Sequence, residues 1–424
     1  MKNSHHNATP LNATCPACGL LCDDITLGTG PELTLQNTCT KGLRFFEQSF
    51  GALSPATPLL AGKPANIESA ISIAAEILRN SRQPLFAGLG TEVQGMRALM
   101  RLAEKTNAAL DHMHSEATVG NTRTMQNSGW LTTTLSEVKN RADVILAIGT
   151  DIVSSHPRFF EKLVQNHDSL FNKPIPELIY LGVTPEASGT VIPCDAAKLP
   201  EIINVLNALL NNKKLHAETV AGIPLTTLTA VLDKLKAAKY AVIVWSASAL
   251  KMPHAELTIP STELTIQSIV QLINKLNENS RAAGLPLNAG DGDTSVNNTS
   301  TWLSGYPTRS RFNNGIPEYD TYHYSTQKQL AECDALLWVS SFNPYPAPDC
   351  KVPTIAIGHP DTQFAHMPDV FIPVGIPGVD HSGQMFRMDS SITLPLKKLR
   401  DSSLPSLSEV ITMIETKLSA EAAA

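Results

Sequence analysis

Short apolar stretches without polar alternation recur along this chain, each followed by a segment of helical periodicity. That alternation restricts the fold more than any other feature. Residues 84–88, 143–149, 178–182, 240–245, 335–339 and 354–358 read as strands. Between them Ile67, Ile71, Ala74 and Leu78 recur at helical spacing, as do Met96, Leu99, Met100 and Ala103 within 91–105. Further helices are expected over 202–210, 266–276 and 407–418. A strand that is apolar at every position must be covered on both faces, and crossover helices do this for parallel sheets. There are enough strands for two Rossmann-like sheets, whose ligands would lie beyond the carboxyl ends of the strands. No short-period repeat is present.

Composition narrows the function classes. The chain has 424 residues, enough for two or three domains. Its net charge of -6 and the lack of a lysine or arginine run give no field for nucleic acid. No apolar run reaches the length of a membrane span, and the start, Met1 to His6, has no signal-peptide core, so a cytoplasmic location is expected. Residues 1–14 are polar and read as a loose tail carrying His5 and His6.

Four of the seven cysteines, Cys15, Cys18, Cys22 and Cys39, lie close together, with gaps of two, three and sixteen residues. Crowded thiols in a reducing compartment read as metal ligands. The three-plus-one spacing suits a four-cysteine iron–sulfur set better than zinc, which favours two similar pairs. Reduced cysteines without a metal are the alternative. Residues 25–27 and 33–35 form a hairpin signal around Gly28-Thr29-Gly30-Pro31 that would return Cys39 to the first three, and Lys41-Gly42 then opens a short helix.

Two other stretches stand apart. Residues 288–325, rich in asparagine, glycine and aromatics, read as a long loop, and residues 372–389 hold too many prolines and glycines for a regular element. Asp111-His112-Met113-His114 offers two histidines at strand spacing but, with no third ligand in sight, reads as a satisfied polar pair. Asp291-Gly292-Asp293 resembles half a calcium loop without its other ligands. Cys194, Cys333 and Cys350 are isolated thiols. Trp302, Tyr306 and Tyr319 are explained as easily by packing as by a pocket.

The cysteine set followed by Lys41-Gly42 resembles the N-terminal segment of molybdopterin oxidoreductases. Cys22-Asp23-Asp24-Ile25 narrows the resemblance to the B subunit of formylmethanofuran dehydrogenase. So do residues 139–145, His156-Pro157-Arg158, Thr301-Trp302 with Gly305-Tyr306-Pro307, and 372–374 through 386–389. The matches run in order along nearly the whole chain. The resemblance implies an α/β fold of the formate dehydrogenase/DMSO reductase type. Its parts would be a cysteine segment over 1–55, a Rossmann-like domain from 56–134 with about 335–424, and a second Rossmann-like domain over 135–334. It also implies a [4Fe–4S] cluster on the four cysteines, a relay-type lysine at Lys41, and a pterin dinucleotide cofactor between the Rossmann-like domains. Cofactor contacts are implied at Arg387, Asp151 and His156.

The family holds molybdenum or tungsten through a cysteine or selenocysteine in a Ser-Val-Cys-His-Gly-Pro-Ser type stretch. Here that stretch falls on residues 115–121, with Ala117 at the ligand position and Thr118 at the histidine. No cysteine lies between Cys39 and Cys194, and a methyl group cannot bind a soft metal. Asp151 also replaces an asparagine in the nucleotide-contacting turn, placing negative charge against an anion. A molybdenum or tungsten pterin is therefore disfavoured. This pattern looks like the beta subunit of the formyltransferase/hydrolase complex of aerobic methylotrophs. The resemblance then implies an amidohydrolase-like alpha subunit, a gamma subunit and a formyltransferase delta subunit as partners, with this chain structural and non-redox. A working dehydrogenase subunit and an unrelated zinc or iron–sulfur protein are the competing readings.

Overall fold

The computed structural model describes residues 11–28, 33–51, 57–165, 168–171, 173–185, 188–250 and 261–422. It is a mixed α/β protein that divides into two compact units. One comprises residues 1–115 with 290–424, and the other residues 116–289. The boundaries differ from the 134/135 and 334/335 divisions expected from the sequence. The reason is strand pairing: Ser310–Asn313 adds antiparallel to Ala109–Leu110, which draws the segment after residue 290 into the first unit.

In the first unit, nine strands of the described residues form one sheet. Its centre is parallel and runs Ala109–Leu110, Pro84–Gly90, Ala335–Ser340, Thr354–Gly358, Val370–Pro373. Antiparallel hairpins extend both sides, Ser310–Asn313 with Ile316–Tyr319 on one and Leu59–Leu60 with Lys63–Pro64 on the other. All seven residues of Pro84–Gly90 are buried, as an unalternating apolar strand requires. The helices Ile67–Asn80, Val93–Thr106 and Leu407–Ala422 were legible as amphipathic stripes, and each is a few residues longer or shorter than its periodic core. Neighbours in sequence pair on either side of Pro84–Gly90 and Ala335–Ser340, so the order reverses between those two strands. In sheets of this kind ligands bind beyond the carboxyl ends of the strands at such a switch point.

The stretch 288–325 is not a long loop. It contains the helix Asp293–Ser304 and the hairpin Ser310–Asn313/Ile316–Tyr319. The pattern was obscured because the helix carries six serine, threonine or asparagine residues in its first eight positions, which mimic a loop in composition. Tyr306 stacks on Tyr319 with ring centres 5.4 Å apart, while Trp302 is 65% exposed beneath the Arg97 guanidinium. Within 372–389, Gly383–Phe386 pairs with Thr393–Leu396.

The N-terminal part of this unit is a small antiparallel sheet of Leu11–Ala13, Ile25–Gly28 and Thr34–Gln36. The expected hairpin is present, although its tip, 29–32, lies outside the described residues, as do His5 and His6. Residues 11–13, expected to be part of a loose tail, are instead an edge strand. Ala13 is buried opposite Ile25, and that pairing holds them.

The second unit is a five-stranded sheet, parallel throughout, in the order Thr190–Ile192, Glu177–Leu181, Val144–Ile148, Ala241–Ser246, Ala282–Leu287. Trp245 is wholly buried at its centre, edge-on to Trp130 at 5.7 Å. Gly284 faces it, because any Cβ there would meet the indole at 2.8 Å. Truncating so large a side chain would cost about 3–5 kcal/mol. The strand order reverses between Val144–Ile148 and Ala241–Ser246, giving this unit its own switch point. No helix among the described residues is long and apolar enough to cross a membrane.

Candidate functional site

The cysteine loop is closed by a hydrogen bond from Cys15 N–H to the Cys22 carbonyl (2.8 Å), and Leu21 within it takes a left-handed φ of 49°. Leu20 and Leu21 are buried, as are Cys15 and Cys22. Cys39 caps the helix Thr40–Phe50, its Sγ accepting from Gly42 N–H at 3.5 Å. A Cβ at Gly42 would sit 3.2 Å from Cys15 Sγ and 3.9 Å from Cys39 Sγ, so the fourth cysteine does return to the first. Burial raises the Cys15 thiol pKa well above its usual value, and the charges of Cys18, Cys22 and Cys39 add to that rise. Burial likewise raises Cys18, with Cys39 adding to the rise and Lys41 opposing it. Lys41 therefore lies within electrostatic reach of the thiols.

Among the described residues, no three His, Cys, Asp or Glu side chains are grouped to hold a single metal ion. The donor set fits a [4Fe–4S] cluster and fits zinc poorly. The 372–389 stretch leans on this loop: Met388 N–H donates to the Gly19 carbonyl at 2.9 Å. Arg387 there is forked onto Asp389 through Nε (3.0 Å) and Nη2 (2.6 Å), and also donates to Ser391. Its charge is already matched by a carboxylate that is 0% exposed.

At the switch point of the second unit, Gly149 turns the chain with φ 61°, its Cα packed so closely that a Cβ would meet Leu199 and Leu250 within 3.0 Å. Asp151 follows and caps the short helix Ile152–Ser155, its Oδ1 accepting from Val153 N–H at 3.1 Å. A carboxylate thus sits where free N–H groups would otherwise attract an anion. His156 is buried, with Nε2 2.8 Å from Asn288 Oδ1 and Nδ1 3.0 Å from Ser155 Oγ. Both ring nitrogens have side-chain partners. Ala117 lies part-buried on the helix Ser115–Ser128, where Asn121 accepts from Trp245 Nε1 (2.8 Å) and Arg123 pairs with Glu263 (3.2 Å). A methyl at 117 offers a metal-bearing pterin nucleotide no ligand, and Asp151 and Arg387, each within its own unit, are already engaged by neighbouring residues. Taken one by one, these residues do not fit that group.

The histidines of 111–114 are the satisfied polar pair that their sequence suggested, and their partner is the 291–293 motif, which the sequence left separate. His114 Nε2 lies 2.8 Å from Asp291 Oδ2, and Asn343 donates to Asp291 Oδ1 at 2.5 Å. His112, fully buried, accepts from His114 N–H at Nδ1 (3.1 Å) and donates from Nε2 to the Asp291 carbonyl (3.2 Å), which defines its neutral tautomer. Burial lowers the His112 pKa accordingly, against the charge of Asp293. Burial alone would lower His114 too, but the hydrogen bond and charge of Asp291, with Asp293 behind it, hold it above the usual histidine value. Burial pushes Asp291 up, yet His114, Asn343 and His112 together keep it below the usual range.

Residues 290–292 all have positive φ, 107°, 49° and 76°, so Asp291 is strained into place by these partners. Asp111 is anchored beside them by Thr326 N–H (2.6 Å) and Arg309 Nε (3.6 Å). The two motifs, 111–114 and 291–293, looked incomplete in sequence because each is half of one network. They become neighbours only in the folded unit, where Ser310–Asn313 pairs with Ala109–Leu110 and Asn343 holds Asp291.

No protein-family model matches the chain. It is 26% identical over 414 residues to the B subunit of the tungsten-containing formylmethanofuran dehydrogenase 2 of Methanococcus maripaludis, covering 92% of this chain and 93% of that one. The Methanocaldococcus jannaschii protein of the same name gives the same values. It is also 28% identical over 334 residues to the B subunit of the formyltransferase/hydrolase complex Fhc of Methylorubrum extorquens, covering 77% of this chain and 86% of that one. Among solved structures, it superposes on a chain of the Methylorubrum extorquens formyltransferase/hydrolase complex in complex with methylofuran. The TM-score is 0.74 at 25% identity, spanning 87% of this chain and 100% of the other.

The chain is a homologue of the formylmethanofuran dehydrogenase B subunit. Relatives of that kind include both tungsten proteins and a component of a formyltransferase/hydrolase complex. The residues at 117, 151 and 387 therefore bear on which of the two this homologue resembles in chemistry.

Proposed function

We propose that this chain serves as the B subunit of a formyltransferase/hydrolase-type complex acting on formyl groups carried by methanofuran or methylofuran, without redox chemistry of its own. The observation that carries the reading is Ala117: the helix that would present a soft-metal thiolate presents a methyl group. Asp151 and Arg387 support it, being engaged within the protein where a nucleotide would need them. The chain would work in the cytoplasm and contribute assembly rather than bond-making. Catalysis would belong to an amidohydrolase-like alpha subunit and a formyltransferase delta subunit, with a gamma subunit completing the complex.

Cys15, Cys18, Cys22 and Cys39 would hold a [4Fe–4S] cluster, with Lys41 beside it. Such a cluster supplies a covalent cross-link and, in principle, one-electron storage. In this chain its loop would be tied to the 383–389 turn through Gly19 and Met388, so the cross-link would order both. The alternative, a redox subunit with a molybdenum or tungsten pterin, is favoured by the retained cysteine set and by the tungsten relatives. Anaerobic purification of the intact complex with metal analysis separates the two. Iron without tungsten, molybdenum or pterin, together with formyl hydrolysis and no electron transfer, is expected. Stoichiometric tungsten or molybdenum would overturn the proposal.

A further inference from the structure

The amino edge of the five-stranded sheet, opposite the edge where Asp151 and His156 lie, bears a separate cluster of charge. Residues 140–143 lead into Val144–Ile148, 173–176 into Glu177–Leu181, and 239–240 into Ala241–Ser246. The three strands are parallel neighbours, so these lead-ins share one edge. They surround a cavity of about 410 Å³ lined by Arg141, Lys173, Lys239, Asp143 and Phe171. That volume lies in the small-molecule range of roughly 300–1,000 Å³.

Three cations therefore face one carboxylate, in a chain whose overall charge is -6. The carboxylate is already engaged, since Asp143 accepts the backbone N–H groups of Lys239 (2.7 Å) and Tyr240 (3.0 Å). Lys173 Nζ donates to the Ala142 carbonyl at 2.7 Å, which uses one of three ammonium protons. Burial lowers its pKa, with Asp143 opposing, as expected for an ammonium short of water. Arg141 is held flat over the Phe171 ring, 4.9 Å from its centre. Its pair with Glu137 is long, 3.7 Å, and half-exposed on both sides, so it competes weakly. The Tyr240 hydroxyl is turned to Thr133 and Glu137.

We propose that this cavity binds a small polyanion, a molecule bearing two or more carboxylate or phosphate groups. Three cations exceed the lining carboxylate Asp143 by two charges, and by one when Glu137, weakly paired with Arg141, is counted, and a planar guanidinium matches either oxyanion. The proposal does not depend on the function proposed above, since it concerns the other edge of the sheet.

Calorimetric titration of the full chain with citrate and with pyrophosphate tests it. One or both should bind with a Kd below about 1 mM at low ionic strength and weaken as salt is raised. The double variant K173Q/K239Q should lose about tenfold in affinity or more with an unchanged melting temperature, and R141Q alone should lose a smaller factor if the double variant does not fold. K236Q, which removes an exposed cation on the Leu225–Ala237 helix, should bind as the native chain does. Citrate alone identifies a carboxylate ligand, pyrophosphate alone a phosphate ligand, and both together a general polyanion site. Binding of neither probe, or native affinity in the folded cavity variants, would overturn the proposal.

Discussion

The cysteine loop and the His112–Asp291 network lie in the same unit and are built on opposite principles. In the loop, four buried or half-buried thiols form no disulfide among the described residues, and the charges of three of them raise the pKa of Cys15; on the reading proposed above, a cluster would bridge them. In the network, two imidazoles, a carboxylate and an amide satisfy each other directly, and the strained backbone at 290–292 is held by those bonds. On that proposal the first region is organised for a group the polypeptide does not supply. The second closes upon itself. On the same proposal, a homologue that keeps the first and has a methyl group at 117 would have retained a cross-link position without a metal ligand.

The contrast is broken or sharpened most strongly at Cys15. Cys15→Ser should abolish visible iron–sulfur absorbance in anaerobically prepared protein and lower the melting temperature by about 10 °C, because binding of a structural metal group is folding free energy. Unchanged melting would show that the loop stands without a bridging group.

Next is the ion pair that anchors the network's edge. Arg309→Met strands Asp111, which is 1% exposed and whose pKa burial already raises against the Arg309 charge. A loss of about 3 kcal/mol in denaturant unfolding is expected. A loss below about 0.5 kcal/mol would mean that Ser115 and Thr326 hold the carboxylate without the arginine.

The network itself predicts a pH signature. His114 is raised, so its contribution is complete below the unfolded histidine pKa of about 6.5 and is lost as pH climbs through the folded value. Asp291 is lowered, so its contribution is complete above about pH 4 and is lost as pH falls through its folded value. The stability gap between the native chain and His114→Gln should be about 1 kcal/mol between those limits and should narrow on either side, as pH rises through the folded value of His114 or falls through that of Asp291. A gap independent of pH would assign the pair no charge.

The smallest effect belongs to Ala117→Cys. The added thiol sits on a helix surface that is only part-buried, so stability should change by less than about 0.5 kcal/mol. Tungsten uptake measured by mass spectrometry should stay at background, because Asp151 and Arg387 remain engaged. Stoichiometric tungsten would show that one sulfur was all that the site lacked.

Much was legible before any fold was known. The apolar strands at 84–90, 144–148 and 241–246 announce burial on both faces through composition alone, and the helices between them repeat every third or fourth residue. Cys15, Cys18, Cys22 and Cys39 are near in sequence, so their convergence needs only one hairpin. The helix Asp293–Ser304 was missed because serine, threonine and asparagine are loop formers that tertiary packing can overrule.

The sequence by itself determined the class of fold, the cysteine set and the absence of a thiolate at 117, all consequences of residue identity over short spans. Tertiary structure alone decided that His114 meets Asp291 across 177 residues and that three cations gather at one sheet edge. Those pairings depend on strand order and register, which no local propensity encodes, since they follow from burying whole sheets at once.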